Sequence, residues 1–244
     1  MRLHLASAAL LTGLLLAGTA HAEQLTQEPL VDAGWLSEHL GAEGLVVLDI
    51  RDAADGVAPY AAGHVPGAIA APYSTVAWRT TVDNIPGMLP PTQDIQATIA
   101  ALGVDDDSQV VIVPAGTSAS EFGGATRVYW TFKVLGHDAV TILDGGYAAW
   151  NKEGKEVSTD PTAPVAGDFK AELKPELLAE VKEVEAAIAG DGNLVDARSV
   201  AQFIGQEKTP TVQTLGHIPT AVNINFDQFY DAQNASFASP ETIA

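Results

Sequence analysis

The sequence contains no cysteine, and this absence removes several kinds of chemistry at once. Disulfide bonds, zinc–thiolate sites, thioredoxin-type redox chemistry and thiol nucleophiles are all excluded from these 244 residues. Packing must therefore hold the fold without covalent cross-links. Any reaction that needs a thiolate must obtain it from outside this sequence.

Positive charge is also scarce. Lysine and arginine number 12 against 31 aspartates and glutamates, which gives a net charge of −19. Nucleic acids and anionic lipid surfaces are bound by clustered basic side chains, so neither is expected as a partner. The six histidines show no paired spacing typical of a metal site. We therefore expect an acidic, soluble protein that binds no nucleic acid and no metal.

The amino terminus carries an apolar run that is too short to span a membrane. Arg2 supplies a positive charge, Leu10 to Leu16 form the apolar stretch, and Ala20-His21-Ala22 is a cleavage pattern of small residues. These features predict a signal peptide over residues 1–22. We expect a periplasmic or secreted mature protein that is not attached to the membrane.

Short apolar runs alternate with helical patterns over residues 23–152. The runs predict three buried strands, at residues 45–49, 110–113 and 140–143. Apolar residues at helical spacing predict three helices, at Trp35–Leu40, Asp94–Leu102 and Thr126–Leu135. Strands that alternate with helices form a mostly parallel sheet covered on both faces, so this region is predicted to be an α/β domain.

The composition changes after this region. Residues 153–172 are polar and rich in proline, threonine and glycine, which predicts a linker. A second unit is predicted over residues 173–244, starting with a helix at Pro175–Ala189 and a strand at Asn193–Asp196.

Two motifs occur once in each unit and in the same order. Asp-x-Arg follows a strand at Asp49–Arg51 and again at Asp196–Arg198. Gly-His-x-Pro-x-Ala then starts at Gly63 and again at Gly216. Repetition in the same order predicts two copies of one βα plan.

The second copy is the shorter one. The first continues for 86 residues from His64 to Trp150, whereas 27 residues follow His217. We therefore expect the second α/β domain to be incomplete, with apolar strand edges exposed.

A third motif, Asp144-Gly145-Gly146 followed by Trp150, closes the first copy. With the two repeated motifs and Arg127-Val128-Tyr129-Trp130, it makes the chain resemble the tandem-domain thiosulfate sulfurtransferases, the rhodaneses. The resemblance covers residues 30 to 244. It implies two rhodanese-like α/β domains, each a mostly parallel sheet flanked by helices, with the second incomplete.

The resemblance also implies a chemistry. In this family a cysteine lies in a ring of backbone amides at a helix start, where the amides and the helix dipole lower the thiol pKa. The thiolate takes the outer sulfur of a small anionic donor, thiosulfate or mercaptopyruvate, and passes it from a persulfide to a thiophilic acceptor. The resemblance implies no cofactor, and we expect a monomer.

The matching loop of the first copy follows residues 110–113, and Pro114 stands at the cysteine position. Proline offers neither a nucleophile nor an amide hydrogen, and Glu121 nearby is expected to repel an anion. The first domain is therefore predicted to be non-catalytic. In the second copy the cysteine is expected beyond Ala244, so no catalytic residue is assigned within this chain.

Arg198 matches a family arginine that contacts the anionic donor, and it is the one substrate-binding residue assigned here. The alternative is a strand-end arginine paired only with Asp196. Arg51, its counterpart in the first copy, is expected to be structural. His64 and His217 are candidates for acid–base groups, but because neither has a nucleophile beside it, packed or hydrogen-bonded loop histidines are favoured.

Two functions follow from these expectations. The first is sulfur transfer by a longer parent protein in the cell envelope, with this cysteine-free chain itself inactive. The second is a non-catalytic rhodanese-like binding or regulatory module. A serine hydrolase is disfavoured because Ser118 and Ser120 do not complete a Gly-x-Ser-x-Gly elbow. The codons after Ala244 separate the first two, since an open frame encoding a cysteine loop favours the enzyme.

Overall fold

The fold is described from a computed structural model of the chain. It describes residues 24–53, 56, 59–190 and 192–239. The predicted signal peptide and Ala244 lie outside the described residues. Below, the N-terminal unit is residues 30–152 and the C-terminal unit is residues 175–239.

The N-terminal unit alternates strands and helices, as the sequence predicts. Its strands are β1 (Leu30–Val31), β2 (Leu45–Asp49), β3 (Ile69–Ala70), β4 (Thr80–Val82), β5 (Ile85–Met88), β6 (Gln109–Val113) and β7 (Val140–Leu143). Its helices are α1 (Ala33–His39), α2 (Thr92–Ala101), α3 (Ala119–Val134) and α4 (Gly146–Lys152), with a short 3₁₀ turn at Tyr60–Ala62.

Five of these strands form one sheet in the order β1-β7-β6-β2-β3, and every neighbouring pair is parallel. Alternate residues of β6 face two separate cores. Val110 and Ile112 pack with α2 and α3, whereas Val111 and Val113 pack with α1 and α4. The predicted α/β architecture, a parallel sheet flanked by helices, is confirmed.

Burial explains why β6 reads as an unbroken apolar run. Its four apolar residues are 0% exposed. Burying one valine or isoleucine side chain contributes roughly 1.5–3 kcal/mol relative to leaving it in water. Over residues 110–113 helices cover both faces of β6, so each of these positions favours an apolar side chain and the alternation typical of one-sided sheets is missing.

Helix α3 begins seven residues before its predicted start at Thr126. Ser118 is the N-cap, and its hydroxyl accepts a hydrogen bond from the Glu121 amide at 3.2 Å. Glycines at positions 123 and 124 weaken the helical pattern in sequence. Gly124 faces Tyr73, and a β-carbon there would lie 3.5 Å from the ring, at ordinary van der Waals distance.

Residues 153–172, all of them described, contain no helix or strand and lie along the N-terminal unit. His64 and Ser158 exchange two backbone hydrogen bonds of 2.9 Å. Phe169 is buried in the core beside α2 and α3. Asp106 accepts hydrogen bonds from both the backbone and the side chain of Lys170. This segment is fixed to the unit that precedes it.

Many apolar residues of the C-terminal unit are exposed, and its helices, turns and strands are short. They are a 3₁₀ turn at Pro175–Leu177, α5 (Val181–Ala189), β8 (Val195–Asp196), α6 (Val200–Phe203), β9 (Val222–Asn223), a 3₁₀ turn at Phe226–Phe229, β10 (Tyr230–Asp231) and β11 (Ser236–Phe237). Strands β8 and β9 pair in parallel, but Val195 and Val222 are each 56% exposed. The expected exposure of apolar strand residues is present in the structure.

The prediction of a single helix at Pro175–Ala189 is wrong, because the helix is interrupted at Leu178. Leu178 is extended and packs against the core of the N-terminal unit. The Trp130 indole donates to the carbonyl of Leu177 at 3.2 Å. A new helix then starts at a capping box between Glu180 and Glu183. Contact with the N-terminal unit thus overrides the local helical pattern.

The end of the described chain packs back on α3. Phe122 of α3 contacts the rings of Tyr230 and Phe237, with ring centroids 5.4 and 4.8 Å away. The Phe237 amide donates to the Asp144 carboxylate at 2.8 Å. These contacts join the C-terminal unit to the carboxyl edge of the first sheet.

Candidate functional site

The loop that follows β6 lies at the carboxyl edge of the sheet, where α/β proteins place their ligands. Pro114 comes directly after the last residue of β6, and α3 starts five residues later at Ala119. The structure therefore puts Pro114 at a strand-to-helix junction. Its carbonyl accepts a hydrogen bond from the Tyr147 amide at 2.8 Å, and proline has no amide hydrogen to offer a ligand.

A carboxylate of the chain itself fills this loop. Glu121 accepts hydrogen bonds from the amides of Ala115 at 2.5 Å and Gly116 at 2.8 Å, one to each oxygen. We predicted from the sequence that Glu121 would repel an anion at this loop. The structure shows a more direct arrangement, in which the Glu121 carboxylate occupies the place that the two amides offer.

The Asp-Gly-Gly turn explains the closing motif. Gly145 and Gly146 both have positive φ, +70° and +55°. A β-carbon on Gly146 would lie 2.4 Å from the Pro114 carbonyl oxygen, and one on Gly116 would lie 2.0 Å from the Gly145 oxygen. Only glycine permits this approach, so the motif docks α4 against the loop after β6.

The first Asp-x-Arg turn is closed to solvent. Arg51 donates from Nε to Asp49 at 2.8 Å and from Nη2 to both Asp49 and the carbonyl of Gly63, at 2.6 and 2.8 Å. The guanidinium also lies 3.6 Å from the centre of the Tyr147 ring. Because both charged side chains are at most 1% exposed, Arg51 fixes the structure and does not face a ligand site.

The second Asp-x-Arg turn has the same contacts and is open. Arg198 donates from Nε to Asp196 at 2.9 Å and from Nη2 to the carbonyl of Gly216 at 2.9 Å. The side-chain amide of Asn223 donates from Nδ2 to the carbonyls of Asp196 and Arg198, which ties the turn to β9. The Arg198 side chain is 35% exposed, and within the described residues no acceptor contacts its Nη1.

Charge pairing shifts both pKa values in this turn. Hydrogen bonding to Arg198 lowers the pKa of the Asp196 carboxyl below its usual 3.8. The same bond raises the pKa of Arg198. Both groups are therefore charged at neutral pH, and the aspartate holds the guanidinium in one orientation.

Both candidate histidines are hydrogen-bonded loop residues. His64 is fully buried, stacks on Tyr60 and contacts the carbonyls of Tyr60 and Asp160 through its two ring nitrogens, at 2.8 and 3.1 Å. His217 stacks on Phe203 and contacts its carbonyl through Nδ1 at 2.7 Å. These contacts give each imidazole a structural role, as favoured from the sequence.

A groove of about 650 Å³ runs beside Arg198. Its walls are mostly apolar and include Val184, Leu194, Leu215, His217 and Ile218. The exposed edge of the guanidinium is its main positive feature. The groove therefore offers apolar walls and one fixed cation.

Other site types find little support in the part of the chain that the structure describes. No group of three or more metal-ligating side chains is close enough to hold a metal ion among those residues. None of the described helices is both long and apolar enough to cross a bilayer.

Comparison with known proteins identifies the scaffold. The model of the Rhodanese-like domain family matches residues 32–153. Thiosulfate sulfurtransferase of Cricetulus griseus is 32% identical over 231 residues, which cover 90% of this chain and 76% of that protein. The chain belongs to the rhodanese family.

The rhodanese match extends beyond the N-terminal unit. The 3-mercaptopyruvate sulfurtransferase of Escherichia coli K12 is 29% identical over 203 residues, covering 80% of this chain and 70% of that enzyme. The crystal structure of SseA from Escherichia coli superposes with a TM-score of 0.72 at 24% identity, covering 88% of this chain and 80% of that one. The rhodanese fold thus spans most of the chain, including the C-terminal unit.

Proposed function

We propose that the protein acts in sulfane-sulfur transfer from thiosulfate or 3-mercaptopyruvate to a thiophile, with the reactive cysteine supplied by residues beyond these 244. Support comes from the rhodanese-family relatives, which are thiosulfate and 3-mercaptopyruvate sulfurtransferases. The observation that carries the proposal is the open Asp196–Arg198 turn, which presents a fixed guanidinium in a groove.

The proposed role of Arg198 is to bind the anionic end of the donor. Asp196 and the Gly216 carbonyl hold Nε and Nη2, so the exposed edge is available without rearrangement. A preorganised guanidinium binds an oxyanion through charge-assisted hydrogen bonds. Arg51 is excluded from this role because its side chain is completely buried.

The reaction itself balances with thiosulfate as donor. A thiolate attacks the outer sulfur, the sulfur–sulfur bond of thiosulfate breaks, and sulfite leaves with the electron pair. The persulfide then gives its outer sulfur to an acceptor such as cyanide, which leaves as thiocyanate and restores the thiolate. Arg198 would orient the donor while its sulfite portion gains charge.

The proposal includes the cell envelope as the site of action. Residues 1–22 have the charge, apolar stretch and cleavage pattern of a secretory leader. Cleavage after Ala22 would be seen as a mature protein that begins at Glu23 when the full precursor is expressed in a bacterium and its amino terminus is determined by mass spectrometry.

A second candidate function is a non-catalytic binding module. It is favoured by Glu121, whose carboxylate already occupies the loop amides of the N-terminal unit.

The experiment that separates the two reads the coding sequence beyond Ala244 and assays both forms for cyanide-dependent thiocyanate formation. We expect the 244-residue chain to be inactive and a longer form with a cysteine loop to be active. In that form, Arg198→Ala should lower kcat/KM for thiosulfate by about 10- to 100-fold, and Arg198→Lys should lower it less. A stop codon at that point, or an Arg198→Ala variant with unchanged kcat/KM, would contradict the sulfurtransferase proposal.

A further inference from the structure

We propose that the loop of residues 114–118 in the N-terminal unit is an anion-binding nest whose ligand is the chain's own Glu121 carboxylate. Removing this carboxylate should uncover a site for a small carboxylate anion such as formate. The proposal concerns the N-terminal unit alone and does not depend on sulfur transfer by the protein.

The first argument is the geometry of the bond pair. The amides of Ala115 and Gly116 are consecutive, and each donates to a different oxygen of the same carboxylate, at 2.5 and 2.8 Å. Gly116 has a positive φ of +79°, a conformation that turns neighbouring amides toward one point. Two converging amides bind a carboxylate in the way they would bind a free anion.

The second argument is that the loop does not depend on Glu121 for its shape. The carbonyls of Pro114 and Ala115 accept hydrogen bonds from the amides of Tyr147 and Ala148, at 2.8 and 3.0 Å. Ser118 caps α3 through its own hydroxyl. The amides of the loop should therefore stay in place when residue 121 is shortened, and the positive end of a 16-residue helix remains beside them.

The third argument is access. A cavity of about 380 Å³ opens at this point, and its polar lining includes Glu121, Asp52, Arg79, Ser118 and Ser120. Its volume is ample for an ion of three heavy atoms. Arg79 offsets the charge of Asp52, whose carboxylate already accepts hydrogen bonds from Ser74, and the two serines add hydroxyl donors, so a small anion can enter from solvent toward the amides.

The test is thermal unfolding of Glu121→Ala in sodium formate against sodium chloride at the same ionic strength. At a formate concentration ten times its Kd, the melting temperature of Glu121→Ala should rise by about 3–6 °C. The unsubstituted protein should respond by less than about 1 °C, because its nest is already filled. Glu38→Ala, which removes an exposed glutamate of α1, is the matched control and should behave like the unsubstituted protein.

Glu121→Gln provides the second control. Its side chain has the size of glutamate and still fills the nest, so its melting temperature should fall without a response to formate. The proposal is overturned if Glu121→Ala responds no more than Glu38→Ala, or if Glu121→Gln responds as strongly as Glu121→Ala.

Poor folding of the alanine variant is itself informative. If Glu121→Ala or Glu121→Ser refolds in formate but not in chloride, the anion replaces the missing carboxylate as proposed. If both variants fail to fold in either salt, the loop requires Glu121 for its shape and the proposed preformed nest is wrong.

Discussion

The two Asp-x-Arg turns of this chain have the same internal bonds and different surroundings. In each, the arginine Nε donates to the aspartate and Nη2 donates both to it and to a glycine carbonyl of the following motif. At Asp49–Arg51 the pair is buried under Tyr147, whereas at Asp196–Arg198 the guanidinium is 35% exposed. A short motif therefore fixes local geometry, and the elements packed over it decide whether the arginine is structural or available to a ligand.

The covering elements differ for a clear reason. In the N-terminal unit β2 lies between β3 and β6, and α4 docks over the turn through its Gly-Gly start. In the C-terminal unit β8 pairs with β9, and this pair forms a separate two-stranded sheet within the described residues. The predictions below test this contrast, from the largest effect to the smallest.

Arg51→Ala should cause the largest loss of stability. It leaves the Asp49 carboxylate buried without its charged partner, which typically costs about 3–5 kcal/mol of unfolding free energy. Chemical denaturation followed by tryptophan fluorescence measures this, since all four tryptophans lie in the N-terminal unit. A loss no greater than that of Arg198→Ala would contradict the assigned difference in burial.

Gly146→Ala should have the next largest effect. A β-carbon there meets the Pro114 carbonyl oxygen at 2.4 Å and also requires an alanine at positive φ, so we expect a loss of roughly 3 kcal/mol. Gly216→Ala is the matched control in the C-terminal unit. It also has positive φ, but no atom lies within 4 Å of the added carbon, so its loss should be about 1 kcal/mol.

The smallest effect concerns acid stability of the open turn. Because the pKa of Asp196 is lowered, its pairing with Arg198 stabilises the folded state above pH 3.8 and is lost as pH falls through the lowered pKa. An exposed pair contributes less than about 1 kcal/mol. Amide hydrogen exchange of residues 195–224 should show Arg198→Ala less protected than the unsubstituted chain at pH 7, and the difference should shrink as pH falls below 3.8 and Asp196 becomes protonated. A difference that grows toward low pH would contradict the sign.

Sequence patterns correctly predicted the strands whose formation depends on residues that are close in sequence. The strands at 45–49 and 140–143 have the predicted bounds because short, mostly apolar runs suit a sheet buried on both faces. The start of α3 differs from the prediction because Gly123 and Gly124 interrupt the helical pattern in sequence, although the helix continues through them. The break at Leu178 differs because Leu178 contacts the N-terminal core, which is distant in sequence.

Only the locally determined part of the candidate site could be predicted from the sequence. The pairing of each arginine with its aspartate follows from the two-residue spacing in the motif. The role of Glu121 does not, because its distance to two loop amides depends on how α3 leaves the sheet. Nor does the sequence distinguish Arg51 from Arg198 by burial, since the difference arises from elements outside the motif.

The most direct test of the contrast between the two turns is a thiosulfate titration followed by the arginine Nε–Hε resonances of the ¹⁵N-labelled protein. Loss of one resonance in Arg198→Lys assigns the signal of Arg198. We expect millimolar thiosulfate to shift the Arg198 resonance along a saturable curve and to leave that of Arg51 unchanged. A saturable shift of the Arg51 resonance would contradict the account. So would an Arg198 resonance that does not shift at the highest thiosulfate concentration.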